Sequence, residues 1–176
     1  MKILENGPKG VKVLKPKVFK DNRGYFYESL NIKDLCKILK KKIIIKQSNV
    51  SFSKRNVFRG FHFQTDPFAQ DKFVRVLSGK ILDILVLIDK KSKYYLKSFY
   101  YELSDNNKKI LYVPSNFAHG FLVLSKYATI EYFVTNYYSK KHERNINIFD
   151  KRLNINKKIL KKKLIMSEKD KTSNFK

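Results

Sequence analysis

The stretch F-R-G-F-H-F-Q-T-D-P-F-A-Q-D-K, Phe58 to Lys72, decides how the rest of the chain is read. It sets Arg59, His62 and Lys72 among aromatic side chains that alternate as in a short strand. Successive strand side chains point to opposite faces, so Arg59, Phe61 and Phe63 share one face while Phe58, Gly60, His62 and Gln64 share the other. Arginine and histidine meet on one surface only where the strand twists or bulges, and Gly60 between them is the residue that allows it. Such a strand suits a catalytic β cup and equally an ordinary sheet with one odd histidine. The surrounding chain has to decide.

At 176 residues the chain is expected to form one domain, residues 1–176, with a core that needs no disulfide staples. An apolar share of 43% with 14 Phe and 11 Tyr fits a fold rich in β structure, because aromatics suit a pleated, half-buried surface. The single cysteine, Cys36, excludes an internal disulfide and a multi-cysteine metal site, and argues for a reducing compartment. The apolar run Ile84 to Ile88, even joined to Ile81 and Leu82 across Asp83, is too short to span a bilayer. The opening M-K-I-L-E-N-G-P-K-G lacks the apolar segment of a secretion signal, so a cytoplasmic protein with no membrane partner is expected.

The formal charge of +24 would attract nucleic acid or another polyanion if it were concentrated on one face. Of the 39 basic residues only six are arginine, and the lysines run through every segment without forming a stripe. That distribution reads as a solvated surface, and no nucleic-acid partner is expected. The rare arginines are more telling, since Arg23 and Arg59 each stand directly before a glycine.

Upstream of the opening stretch, residues 11–19 alternate as a strand broken by Pro16, which suits an edge or an exchanged arm. D-N-R-G (21–24) marks a turn before a second strand, Tyr25 to Leu30, that carries Glu28. Asn31 caps a short helix expected through Lys41, with Leu35, Ile38 and Leu39 on its apolar face and Cys36 off it. From Ile43 the pattern becomes β. Strands are expected over 43–52, 57–63, 73–77, 81–88, 94–103, 110–113, 120–124 and 129–134, joined by short polar connections. Many short strands at near-regular spacing predict an all-β sandwich or barrel. The Lys-rich end holds one possible helix near 155–164.

Only three histidines are available for chemistry. His142 lies in polar S-K-K-H-E-R and reads as a surface residue, whereas His119, in P-S-N-F-A-H-G-F (114–121), follows a proline turn and opens a strand. Asp83 interrupts I-L-D-I-L-V-L-I, a run apolar enough to be buried on both faces. A carboxylate there needs a partner, and either His119 or backbone donors would serve. A His-x-His metal pair is broken by Gln64, and no metal site is expected. No glycine pattern of a phosphate loop occurs. Among the aromatics Tyr127, Tyr132, Phe133, Tyr137 and Tyr138, core packing is the default, but Tyr132 falls in a strand expected to lie across the cup from His62.

Eight segments in order resemble the dTDP-4-dehydrorhamnose 3,5-epimerase family between about Gly10 and Asp170. They are D-N-R-G-Y-F-Y-E (21–28), Q-S-N-V-S-F-S (47–53), R-G-F-H-F-Q (59–64), A-Q-D-K-F-V (69–74), G-K-I-L-D (79–83), V-P-S-N-F-A-H-G-F (113–121), I-E-Y (130–132) and S-E-K-D (167–170). The resemblance implies a cupin-type jelly roll and a homodimer whose N-terminal strands cross to the partner. It also implies cofactor-free, metal-free epimerisation of dTDP-4-dehydro-6-deoxy-D-glucose at C3 and C5. It assigns His62 as base, Asp170 as the carboxylate on the other imidazole nitrogen, Lys72 as the cation at the C4 oxygen and Tyr132 as the opposing acid. Arg59 and His119 would bind the diphosphate with Gln47 and Asn49 in support. Arg23 and Glu28 would reach the thymine end, from a neighbouring subunit in one arrangement, and Tyr138 would stack on the base. Asp83 is expected as a structural residue behind the site, held by His119 or by backbone donors.

The chain departs from the family pattern at Phe63, Phe73 and Ser115-Asn116, and near its end, where Phe149 and Asn156-Lys157 replace tryptophans. The last change bears on how the tail holds Asp170. Two other readings remain open at this point. One is an epimerase acting at a single position on a related nucleotide 4-keto sugar, and the other is a cupin that binds sugar nucleotides without turnover.

Overall fold

The computed structural model describes residues 1–175. The chain runs β1 (Lys2–Asn6), β2 (Lys12–Lys15), β3 (Val18–Asp21), β4 (Gly24–Tyr27), α1 (Ile32–Leu39), β5 (Gln47–Lys54) and β6 (Phe58–Gln64). It continues through β7 (Lys72–Leu87), β8 (Ser98–Ser104), β9 (Ile110–Val113), β10 (Phe117–Val134), β11 (Glu143–Asn145) and α2 (Lys157–Leu160).

The two longest strands, β7 and β10, pair antiparallel along their whole length and form the spine of the sheet. Each changes its second neighbour halfway. β7 pairs with β9 over Lys72–Arg75 and with β8 over Lys80–Val86. β10 pairs with β6 in its first half and β5 in its second. β2 and β1 extend the sheet beyond β9, and β11 closes on β6. This arrangement bends the sheet into a cup.

The expected breaks at Gly79 and near Lys126 are therefore kinks inside continuous strands. Gly79 adopts φ +85°, a conformation that favours glycine, beside a register shift between Val123 and Ala128 of β10. Glycine flanked by alternating apolar residues reads as a turn in the sequence, but the neighbouring strand is kinked at the same level, so pairing continues through it. Three further expectations are corrected. The strand expected from Ile43 begins at Gln47, because Ile43 is buried beneath α1 instead of paired. Residues Tyr94–Lys97 form a turn before β8. The helix expected over 155–164 is the single turn α2, capped by Asn156, whose side chain accepts from the Lys158 N–H.

Period-two alternation explains how the layers form. On β7, Ile81, Leu85 and Leu87 point into the cup with Phe117, Phe121 and Val123 of β10. Ile84 and Val86 point outward, where Phe58, Phe61 and the returning residues Ile146, Ile148, Ile155 and Ile159 cover them. Burial on both faces is why this run reads as continuous hydrophobic sequence. At the other half, α1 lays Leu35 over Leu14, Phe73, Ile110 and Tyr112. Asn31 caps α1 by accepting the Asp34 N–H at 3.1 Å, and the helix ends at Leu39, where Lys40 turns left-handed, two residues short of the expected Lys41. Each fully buried Phe contributes roughly 1.5–3 kcal/mol to this assembly. The Pro16 break falls between β2 and β3, as expected, and β1, unanticipated, pairs with β2 alone among the described residues and is exposed throughout.

Candidate active site

β6 carries the feature that makes a site possible. His119 of β10 lies opposite His62 and Phe121 opposite Arg59, so two steps along β10 match three along β6. The extra residue falls at Gly60, whose φ is +128° and where an added Cβ would lie 2.5 Å from the Gly120 Cα and 2.8 Å from the His119 carbonyl oxygen. Neither the dihedral nor the space admits another residue. The irregularity turns Arg59 and His62 onto one surface while Phe61 enters the core.

That surface is the wall of a cavity of about 330 Å³. His62, Lys72, Tyr132 and Asp170 all line it, as do Arg59, His119 and Tyr138. Lys72 comes from the first residue of β7, Tyr132 from the far half of β10, and Asp170 from the C-terminal segment.

Asp170 meets His62 at 2.6 Å from Oδ1 to Nε2, while Ser167 Oγ donates to Oδ2 at 2.8 Å. Burial pushes the Asp170 pKa up, but His62, the Ser167 hydroxyl and the Gly60 N–H outweigh it and hold the carboxyl below its usual range. An ionised Asp170 fixes the proton on Nε2, so Nδ1 carries the lone pair of the neutral ring. Lys72 is buried, which lowers its pKa to about 8, while Asp71 and Glu143 pull it back up. At neutral pH it is still an ammonium. Tyr132 has its phenol raised by burial, against the lowering effect of Arg59, and so keeps its proton.

A second couple lies deeper. Asp83 Oδ2 meets His119 Nε2 at 2.8 Å, with the carboxylate fully buried, so the histidine is the partner that the apolar run required. Arg59 is steadied by donating from Nε to Ser53 Oγ at 2.9 Å and from Nη2 to the Phe52 carbonyl at 3.3 Å. Tyr138 donates its hydroxyl to Glu143 Oε2 at 3.0 Å.

Gln47 and Asn49 lie on the inward face of β5 but do not line the cavity. They bond to each other at 2.7 Å, and Gln47 Oε1 accepts the Tyr138 N–H at 3.2 Å, so they brace the rim. Arg23 and Glu28 are not brought to this cavity by their own chain. Arg23 is 90% exposed at the tip of the β3–β4 hairpin, paired with Asp21 at 2.6 Å, and Glu28 is exposed beside Asn31. His142 is half-buried, stacked on Phe68 and hydrogen-bonded to Ser139, which corrects its reading as a plain surface residue. Among the described residues no three His, Cys, Asp or Glu side chains gather as metal ligands.

The cavity also holds residues that the sequence reading passed over. Glu143 bridges Tyr138 and Lys169, the latter at 2.5 Å, and Ser51, Gln70 and Ser167 complete the polar wall. Glu143 stood beside a discounted histidine, and Lys169 was one lysine in a Lys-rich tail. Only the S-E-K-D motif pointed to that lysine.

A β cup with a pair of carboxylate-backed imidazoles, an ammonium and a phenol around a sugar-sized cavity has the cupin-like architecture. The family model described as dTDP-4-dehydrorhamnose 3,5-epimerase matches residues 7–175. The chain is 41% identical over 155 residues to the dTDP-4-dehydrorhamnose 3,5-epimerase of Shigella flexneri, covering 88% of this chain and 86% of the relative. It superposes on the enzyme of that name from Elizabethkingia anophelis with a TM-score of 0.90 at 38% identity, covering 98% and 94% of the two chains. It also superposes on the dTDP-6-deoxy-D-glucose-3,5-epimerase of Legionella pneumophila, solved in complex with dTDP-4-keto-L-rhamnose, with a TM-score of 0.90 at 34% identity over 98% and 90% of the chains. The chain belongs to the dTDP-4-dehydrorhamnose 3,5-epimerase family.

Proposed function

We propose that the protein epimerises dTDP-4-dehydro-6-deoxy-D-glucose at C3 and C5, giving dTDP-4-dehydro-L-rhamnose. Family membership supplies the reaction class, and the observation that carries the mechanism is the meeting of His62, Lys72 and Tyr132 at one cavity.

A proton next to a ketone leaves readily only if the enolate is stabilised as it forms. His62 Nδ1 takes the proton while Asp170 supports the imidazolium. The Lys72 ammonium faces the C4 oxygen, in a buried setting where a charge acts more strongly than in water. Tyr132 returns a proton from the opposite face and inverts the carbon. The high phenol pKa suits a donor that must be protonated at neutral pH, and the low Asp170 pKa suits a carboxylate that must stay charged. Arg59 and His119 receive the diphosphate, and Tyr138 stacks on the thymine at the mouth.

We read the chain as one folding unit that pairs with a second copy through its N-terminal strands. β1 is exposed along its length, and the β3–β4 hairpin presents Phe19, Tyr25 and Phe26 to solvent. Exchange of this arm would carry Arg23 and Glu28 toward the partner's thymine site. Among the described residues no helix is long and apolar enough to cross a membrane, and we assign the work to the cytoplasm, where nucleotide sugars are made.

Turnover in deuterated water tests the reading. The expected product carries deuterium at both C3 and C5. Deuterium at C3 alone identifies a single-position epimerase, and no incorporation identifies a binder without turnover.

A further inference from the structure

His62 reaches its carboxylate across 108 positions of sequence, and the segment that brings Asp170 has no regular secondary structure of its own to place it. Something else must fix it. Upstream, Ile165 is tied to β6, accepting the Phe58 N–H at 2.9 Å and donating to the Asn56 carbonyl at 2.9 Å. Beyond that point Glu143 pairs with Lys169 and Asn147 Nδ2 donates to the Lys171 carbonyl, but the largest set of ties runs to one residue, Asn145.

Asn145 is only 3% exposed and lies directly opposite His62 in the β6–β11 pairing. Its Nδ2 donates to the carbonyls of Lys169 at 2.9 Å and Thr172 at 2.6 Å, which bracket Asp170 in the chain. Its backbone N–H donates to Asn174 Oδ1 at 2.7 Å, and its carbonyl accepts from Ser173 Oγ at 3.1 Å and from the Asn174 N–H at 3.2 Å. A primary amide has two hydrogens to give, and both are spent on this segment. An aspartate of the same size would turn an oxygen toward those carbonyls. Phe175, resting on Phe63 at 5.6 Å between ring centroids, and Arg152 Nη2, donating to the Phe175 carbonyl at 3.3 Å, hold the far end.

We propose that Asn145 is a positioning residue of the epimerase site: its side-chain amide clamps the segment on both sides of Asp170 and so sets that carboxylate on His62. The strand pair β6–β11 then presents the base on one strand and the holder of its carboxylate on the other. The same clamp places Lys169 in the cavity wall against Glu143. The inference rests on the proposed roles of His62 and Asp170.

The test is a double-mutant cycle on kcat with Asn145→Ala, Asp170→Asn and both together, using dTDP-4-dehydro-6-deoxy-D-glucose. Loss of the clamp lets Asp170 wander by an ångström or more, so Asn145→Ala is expected to lower kcat roughly tenfold to a hundredfold. In the Asp170→Asn background it is expected to lower kcat no further, because the group it positions is already gone. KM should rise in both backgrounds, since Lys169 moves with the segment. Losses in kcat that multiply in the double variant, or an unchanged kcat in Asn145→Ala, would overturn the proposal. Asn145→Asp serves as the second variant if the alanine protein does not fold. If neither folds, the proposal is also overturned, because it assigns Asn145 to the site and not to global stability. Failure of the underlying reading would look different, as wild-type protein without turnover or Asp170→Asn with normal turnover.

Discussion

The cavity contains two histidine–aspartate couples of nearly equal geometry, 2.6 Å at His62–Asp170 and 2.8 Å at His119–Asp83, set opposite each other on paired strands. Their surroundings differ. The His62 side chain is 32% exposed and its carboxylate arrives on a clamped C-terminal segment, whereas His119 is 9% exposed and its carboxylate sits fully buried in the middle of β7. One couple has a free ring nitrogen with room for a substrate carbon to approach. The other shows the cavity only a narrow part of its ring, beside Phe121. Under the proposed mechanism the same pair of groups would serve proton transfer in one place and cohesion with phosphate contact in the other, and access would decide which.

Removing each couple in turn should separate these roles. His62→Ala is expected to lower kcat by at least about a thousandfold while dTDP affinity, measured by calorimetry, stays within a few-fold. Retained turnover in that variant would break the distinction between the couples outright. Asp83→Ala should act chiefly on folding, because it strips the partner from a buried imidazole and opens a hole in the spine. A loss of about 3 kcal/mol in urea unfolding is expected. A loss smaller than that of Asp170→Ala would mean that the buried couple is not the structural one.

The sequence made these two couples legible to different degrees, for a physical reason. Asp83 announced itself because a carboxylate inside an apolar run needs a partner, and the strand pairing delivered His119. Asp170 had no such contrast. It stands in a polar, lysine-rich tail whose course depends on ties to Asn145 that no periodicity encodes, and only its resemblance to a family motif picked it out. Gly60 was readable as the place where the strand could bulge if Arg59 and His62 were to share a surface. Gly79 was misread as a turn, because a glycine kink in one long strand and a turn between two short ones leave the same local pattern. Glu143 and Lys169 were hidden by their neighbours, as a charged residue among many charged residues carries little signal.

Lys72 sharpens the comparison further, because it is buried in the same cavity without any carboxylate of its own. Among the described residues its ammonium forms no ion pair or hydrogen bond, in contrast to both imidazoles. Burial lowers its pKa from 10.5 to about 8. Below pH 8 the lysine is charged in the folded and unfolded chains alike, and the fold bears the full cost of a buried cation. Between pH 8 and 10.5 the unfolded chain holds a proton that the folded chain has released, so this contribution to stability rises with pH. Lys72→Met should therefore abolish turnover yet stabilise the protein at pH 7, by at most roughly 3 kcal/mol for a shift of this size. The advantage should shrink as pH climbs from 8 toward 10.5, when wild type recovers the same ground by deprotonation. Urea unfolding of both proteins at pH 7 and pH 10 measures it. An advantage that stays constant with pH would mean that methionine merely packs better, and that the cavity does not hold the ammonium against its preference for water.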